Sequence, residues 1–305
     1  MKRDNPTLLA VAFTVSALAL PGCSLRSIAV NSLGNALAKG GSNFASDEDP
    51  ELVRDAIPFG LKTMEGLLLE SPRHKGLLYA TASGFTQYAY AFVQEEGDFI
   101  EAQDLARATA LRTRARKLYL RALEYGLRGL EVDFPGFRDR LRADPSAALQ
   151  STRKQHVPLL YWTANAWGAA ISISINDSEL SADQRLAEAL MKRSLELDEG
   201  YDLGSAHDFF IAYEAGRASV GGSLERARQH LERSLELSKG QRAWPYVTYA
   251  ESAAVSRQDR KEFVALLQKA LAVDANKATN QRLANLLAQR RARWLLSRVD
   301  ELFIE

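Results

Sequence analysis

One cysteine, Cys23, is all that 305 residues contain. No disulfide can form within the chain, so packing alone must hold the fold. Charge of one sign is equally scarce: 39 Lys and Arg face 38 Asp and Glu. The basic excess of a nucleic-acid-binding protein is missing. Long apolar runs are missing too. Leu8 to Leu20 is shorter than the roughly 20 residues that cross a bilayer. The next most apolar segment, Val157 to Ile175, carries Thr163, Asn165, Ser172 and Ser174 and reads as a buried helix. No Gly-x-Ser-x-Gly, His-Glu-x-x-His or phosphate-binding Gly-rich loop occurs. His74, His156, His207 and His230 are far apart in sequence, with no partner at metal-ligand spacing, and read as solvated or hydrogen-bonded helix residues. The expectation is a non-enzymatic protein without metal or cofactor, since catalysis needs an activated nucleophile or a paired acid and base.

What is present begins with Lys2 and Arg3, followed by the apolar run and Leu20-Pro21-Gly22-Cys23. A basic head, a short apolar core and a small residue before the cut describe an export signal. The Leu-x-Gly-Cys ending resembles the lipobox of bacterial lipoproteins, in which the cysteine is acylated and becomes the new N-terminus; Pro21 departs from the usual Ala or Ser. The expected organisation is a signal over 1–22, a lipidated tether over 23–46 and a helical domain over 47–305. Without Lys2, Arg3 and Asp4 the mature chain has 37 basic and 37 acidic residues. Its expected place is the periplasm, anchored to the envelope membrane through acylated Cys23, and Ser24 favours the outer membrane under the enterobacterial sorting rule.

Strand signals are scarce, whereas apolar residues at helical spacing fill the mature chain. Asp49-Pro50 and Ser181-x-x-Gln184 mark helix starts. One pattern recurs five times: a small residue, Leu, any residue, Leu or Val, then an acidic or hydroxyl residue. The copies are GLLLE at 66–70, GLEVD at 129–133, SLELD at 194–198, SLELS at 234–238 and ALAVD at 270–274. Their first leucines, Leu67, Leu130, Leu195, Leu235 and Leu271, lie 63, 65, 40 and 36 residues apart. The short intervals approach the 34-residue tetratricopeptide period and the long ones about twice it. Ala187 and Ala227 fill the alanine slot seven residues earlier, while Phe59 and Phe263 depart from it, and the Trp-x-x-Leu-Gly first helices of that repeat are missing. The fold expected is all-α, an irregular tetratricopeptide-like helical-hairpin solenoid. First helices are predicted near 76–96, 157–175, 204–218, 243–257 and 279–303. Residues 97–113 read as a helical insertion and 136–155 as a charged connector. Two basic runs, Arg112 to Arg121 and Arg290 to Arg298, read as solvated faces first and docking surfaces second.

Several segments carry a resemblance: SDEDPELVRDA at 46–56, PFGLK at 58–62, GFTQYAYAFVQ at 84–94, PLLYWTANAWG at 158–168 and QRRARWLL at 289–296. With the lipobox they resemble the T component of tripartite ATP-independent periplasmic (TRAP) transporters. The resemblance implies a periplasmic lipoprotein of tetratricopeptide-like hairpins. It also implies a homotrimer with a pore, a substrate-binding P component as partner, and a hydrophobic ligand such as a lipid or fatty acid. A cavity for such a ligand needs apolar and aromatic walls with a few polar groups. Tyr88, Phe92, Tyr161, Trp162, Asn165 and Trp167 are the candidate lining; the competing reading makes them solenoid core. The alternative function is a tetratricopeptide adaptor lipoprotein for outer-membrane or cell-envelope assembly.

Overall fold

The computed structural model describes residues 32–36, 44–174 and 176–304. The leader and Cys23 lie outside them. Among the described residues every regular element is helical. Helix α1 (Pro50–Glu70) starts where Asp49 accepts from the backbone of Glu51 and Leu52, with Pro50 in the first turn. Asp104, Ser223 and Asp259 cap three later helices in the same way. The predicted cap at Ser181 is displaced. Asp177 caps a short helix, Ser178–Ala182, that contains Ser181, and the following helix starts at Gln184 without a side-chain cap.

Five second helices alternate with five first helices. The second helices are α1, α3 (Leu105–Asp133), α5 (Gln184–Leu197), α7 (Leu224–Ser238) and α9 (Arg260–Leu271). The first helices are α2 (Lys75–Tyr88, continued through a π turn at Ala89–Gln94 to Ile100), α4 (Val157–Ser172), α6 (Ala206–Gly216), α8 (Trp244–Tyr249, with a π turn at Ala250–Ala254) and α10 (Arg282–Ser297). Neighbours pack on one another in chain order: α2 on α3, α3 on α4, α4 on α5, α6 on α7, α8 on α9 and α9 on α10. This is the solenoid expected from the repeats, an all-α chain of stacked hairpins.

All five repeat motifs end a second helix, and four of them work as the spacing implies. A Cβ at Gly129 would lie 2.6 Å from Leu159 Cδ2 of the next first helix. Ser194, Ser234 and Ala270 are fully buried at the same slot. Ala122, Ala187 and Ala227, one or two turns earlier, are buried as well. The first copy fails: a Cβ at Gly66 would meet nothing within 4 Å, and Phe59 is 80% exposed. Helix α1 begins the first of the stacked hairpins, and among the described residues no helix fills its slot.

Two expected irregularities turn out to be ordinary packing. Residues 105–113 form the first third of α3, a continuous 29-residue helix, and not an insertion. Arg112 holds it to the end of α2 through Asp98 (3.0 Å) and Glu101 (2.6 Å). The 136–155 region folds into short helices, Phe137–Ala143 and Pro145–Leu149, whose Phe137 and Leu141 are fully buried. Its sequence is rich in charge, yet Phe137 and Leu141, one turn apart, dock it together with Ala148 and Leu149.

The last helix returns to the first hairpin. In the π turn of α2 the Glu95 amide bonds the Tyr90 carbonyl, five residues back, instead of the Ala91 carbonyl. Arg290 of α10 takes that released Ala91 oxygen at 2.7 Å and the Glu95 carboxylate at 2.9 Å. Arg291 reaches Asp98 at 2.8 Å and also pairs with Glu251 in the second π turn. Arg282 donates to the Ser46 carbonyl at 3.2 Å. The basic run at 290–298 therefore does not begin as a solvated face: Arg291 is 6% exposed and spans two hairpins. Buried carboxylates are costly unless paired, and Glu95, wholly buried with Oε1 unbonded, shows that cost. Burial pushes its carboxyl up to about 7 against the pull of the two arginines.

Two outcomes are expected. Gly129→Ala should lower stability by about 1–3 kcal/mol through overpacking against Leu159, whereas Gly66→Ala should raise it by about 0.5–1 kcal/mol as an exposed helix position; urea unfolding of both separates a used slot from an empty one. Glu95 binds a proton on folding between its unfolded value of 4.5 and about 7. Its contribution is fully present below pH 4.5 and is lost as pH rises through 7, a swing of about 3 kcal/mol at most. Thermal unfolding of Glu95→Gln should lack that part of the wild-type slope between pH 5 and 8, and identical slopes would refute the assignment.

Candidate functional site

The first helices supply the inner wall, and their aromatic rings meet there across hairpins. Tyr90 of α2 packs edge-on against Trp244 of α8, with centroids 5.4 Å apart. Tyr161 of α4 meets Trp162 at 5.1 Å and Tyr201 at 5.2 Å. Burial and the neighbouring Tyr79 phenol raise the Tyr201 phenol. Tyr79, Tyr90, Trp162, Tyr201 and Trp244 all keep partial solvent access. Even so, desolvation raises the Tyr90 phenol well above its ordinary value and raises those of Tyr161 and Tyr201.

Asp202 follows Tyr201 in the turn before α6. Its residue is solvent-exposed, but burial raises its carboxyl, opposed by Arg242 and by the hydrogen bond from Gln281. The Gln281 amide donates to Oδ1 at 2.7 Å across 79 residues. The turn that presents it is strained: Asp202, Leu203 and Gly204 have φ of 46°, 56° and 82°. A left-handed conformation costs a non-glycine residue about 1 kcal/mol or more, and such strain persists only where the surroundings over-determine it. Here they do. Tyr201 packs against Tyr161, and a Cβ at Gly204 would lie 2.8 Å from Leu237 Cδ1. Beneath the turn, buried Arg242 donates through Nη1 and Nη2 to the two oxygens of Asp208 and through Nη1 to Ser234.

The six residues singled out from sequence do not gather. At about 100° per residue, Tyr161, Trp162 and Asn165 share one arc of α4, while Trp167 falls outside it. Trp167 is 1% exposed and belongs to the main hydrophobic core, its indole N–H without a protein acceptor. Tyr88 and Phe92 are buried against each other at 5.8 Å, with Arg114 of α3 over Tyr88 and Arg290 over Phe92. They face neighbouring helices, not the rings of α4. Tyr79, Tyr90, Tyr201, Asp202 and Trp244 join the site without having been chosen from sequence as lining. Two surface depressions, one around Arg116, Ser174 and Asp177 and one around Arg228, Tyr249 and Arg257, contain none of the six.

Two histidines that looked distant in sequence are neighbours. His207 and His230, on α6 and α7 of one hairpin, place their Nδ1 atoms 2.8 Å apart, and His207 Nε2 lies 3.4 Å from Glu199. Burial lowers both, His230 to about 4, so the pair is neutral at pH 7 and one ring donates to the other. Among the described residues no three His, Cys, Asp or Glu side chains gather as metal ligands, and none of the described helices is long and apolar enough to cross a membrane.

The partial exposure of Trp162 and Trp244 against buried Trp167 predicts a difference between tryptophans. In variants keeping a single tryptophan, acrylamide should quench Trp162 or Trp244 several-fold more strongly than Trp167. Equal protection of all three would mean that the inner wall is dry core.

Comparison with known proteins bears on what such a wall serves. A family model described as TRAP transporter T-component matches residues 46–303. An uncharacterized protein of Treponema pallidum (strain Nichols) is 29% identical over 324 aligned positions, with the whole of both chains covered.

Proposed function

This chain belongs to the TRAP transporter T-component family, and from that premise we propose that it is a non-enzymatic accessory lipoprotein that docks a periplasmic substrate-binding protein of such a transporter. In this reading it is tethered through acylated Cys23, assembles as a homotrimer and binds or passes on a hydrophobic ligand held against its inner wall. The observation that carries the proposal is the family match over nearly the whole described body. The partly exposed rings of Tyr79, Trp162 and Tyr201 support the ligand-binding part, because apolar walls with a few polar groups are what such sites need.

Two measurements test it. Affinity capture of the lipidated protein from its own envelope should recover a TRAP-type substrate-binding protein; recovery of barrel-assembly or peptidoglycan-linked proteins alone would favour the adaptor reading instead. Cys23→Ser should move the protein from the membrane to the soluble periplasmic fraction, since multiple acyl chains make the anchoring firm. Retention of that variant on the membrane would show that Cys23 is not the anchor.

A further inference from the structure

We propose that the outer face of α1 docks a second copy of this chain, the two α1 helices lying antiparallel across a two-fold axis at Phe59. The inference goes beyond the transport reading above and concerns a face which that reading leaves unused. Exposure, shape and charge each point to it.

Leu52, Phe59 and Leu69 are 60%, 80% and 85% exposed, three of the seven large apolar side chains left exposed among the described residues. At about 100° per residue, Leu52, Phe59 and Gly66 form one row, with Ala56 and Thr63 beside it and Leu69 at its edge. The row lies opposite the buried face of Val53, Leu61 and Leu68. Exposed apolar side chains are ordinary when scattered singly; gathered on one face and rimmed by polar residues they mark an interaction surface.

Leu52 and Gly66 are equally far from Phe59 along the chain, seven residues before and seven after. Antiparallel pairing about Phe59 therefore sets Leu52 of each copy over Gly66 of the other. The space is open, since a Cβ at Gly66 would meet nothing within 4 Å. Within the chain the matching glycine, Gly129, is filled by a leucine in the same way, Leu159 of the next first helix. A parallel pairing would instead face the two Gly66 positions across a gap.

Asp55 and Lys62 border one side of the row, four residues before Phe59 and three after it. The two-fold axis brings Lys62 of each copy alongside Asp55 of the other, two ion pairs of opposite charge. Parallel helices would set Asp55 against Ala56 and Thr63. Both side chains are exposed, at 73% and 69%, and bond now only to Arg54 (3.2 Å) and Glu65 (2.5 Å) of their own helix. Such exposed pairs are worth little, so exchanging partners costs little.

The contact is isologous and closes on two copies. It leaves other faces free, so a homotrimer formed elsewhere on the surface would become a hexamer. One helix per copy makes a small interface, and a weak association is expected.

The test is sedimentation equilibrium of the mature full-length chain carrying Cys23→Ser, over about 1–100 μM, the range suited to a weak interface. The parent should contain an even number of chains, and Phe59→Glu should halve it. Because Phe59 is exposed, that variant should keep the parent's circular dichroism. Asp55→Lys and Lys62→Asp should each weaken the association several-fold, and the two together should restore it. An odd number of chains in the parent, or a number unchanged by Phe59→Glu, overturns the inference, whether the row then meets the tether, the binding protein or water. Failure of the double charge reversal to restore association overturns the antiparallel arrangement. Failure of the homotrimer reading shows separately, as a dimer in place of a hexamer.

Discussion

Everything distinctive in this fold depends on two adjacent arginines of the last helix reaching the first hairpin. Arg290 and Arg291 meet Glu95, Asp98 and Glu251, residues separated from them by as many as 195 positions. A stack of helical hairpins is in principle open-ended, each pair touching only its neighbours. Here the stack curves until its ends touch, and the contact is polar. It is also anchored in backbone irregularity: the π turn in α2 frees the Ala91 carbonyl that Arg290 takes, and a second π turn carries Glu251. Single π turns inside α-helices recur at functional positions, and both of these lie where the ends of the stack meet.

Curvature gives the first helices a common interior. Tyr90 of α2 meets Trp244 of α8 at 5.4 Å, and Tyr161 of α4 meets Tyr201 from the turn before α6 at 5.2 Å, although the segments that bear them are distant in sequence. The interior is not uniformly greasy. It contains one carboxylate on a strained turn, an Arg–Asp pair beneath it and an amide that ties the turn to the last helix.

Much of the scaffold was legible in the sequence, because helices and their tight packing spots are written locally. The five small-Leu-x-apolar motifs each end a second helix, and Gly129, Ser194, Ser234 and Ala270 mark the close approaches. Gly66 obeys the pattern in sequence and not in packing, since among the described residues nothing fills the slot beside it. The site was far less legible. Asp202 looks like an ordinary turn residue; only its left-handed backbone and the reach of Gln281 across 79 positions distinguish it. Arg290 and Arg291 read as a solvated basic run because their partners lie almost 200 residues away, and the His207–His230 pair was hidden by a spacing that only a hairpin brings into contact. Of the chosen rings, Tyr161 and Trp162 reached the interior, whereas Trp167 sits on the opposite arc of the same helix, a distinction that helical periodicity could have supplied.

The most direct test is a distance. Spin labels at Lys62→Cys on α1 and Lys269→Cys on α9, with Cys23 replaced by Ser, report the separation of the two ends of the stack by pulsed dipolar spectroscopy. A narrow distribution in the parent, broadening toward longer distances when Arg290 and Arg291 are both changed to Gln while helical content is retained, is what closure by the arginine clamp predicts. An unchanged narrow distribution in that double variant would show that the stack is closed by its apolar packing and that the clamp is incidental.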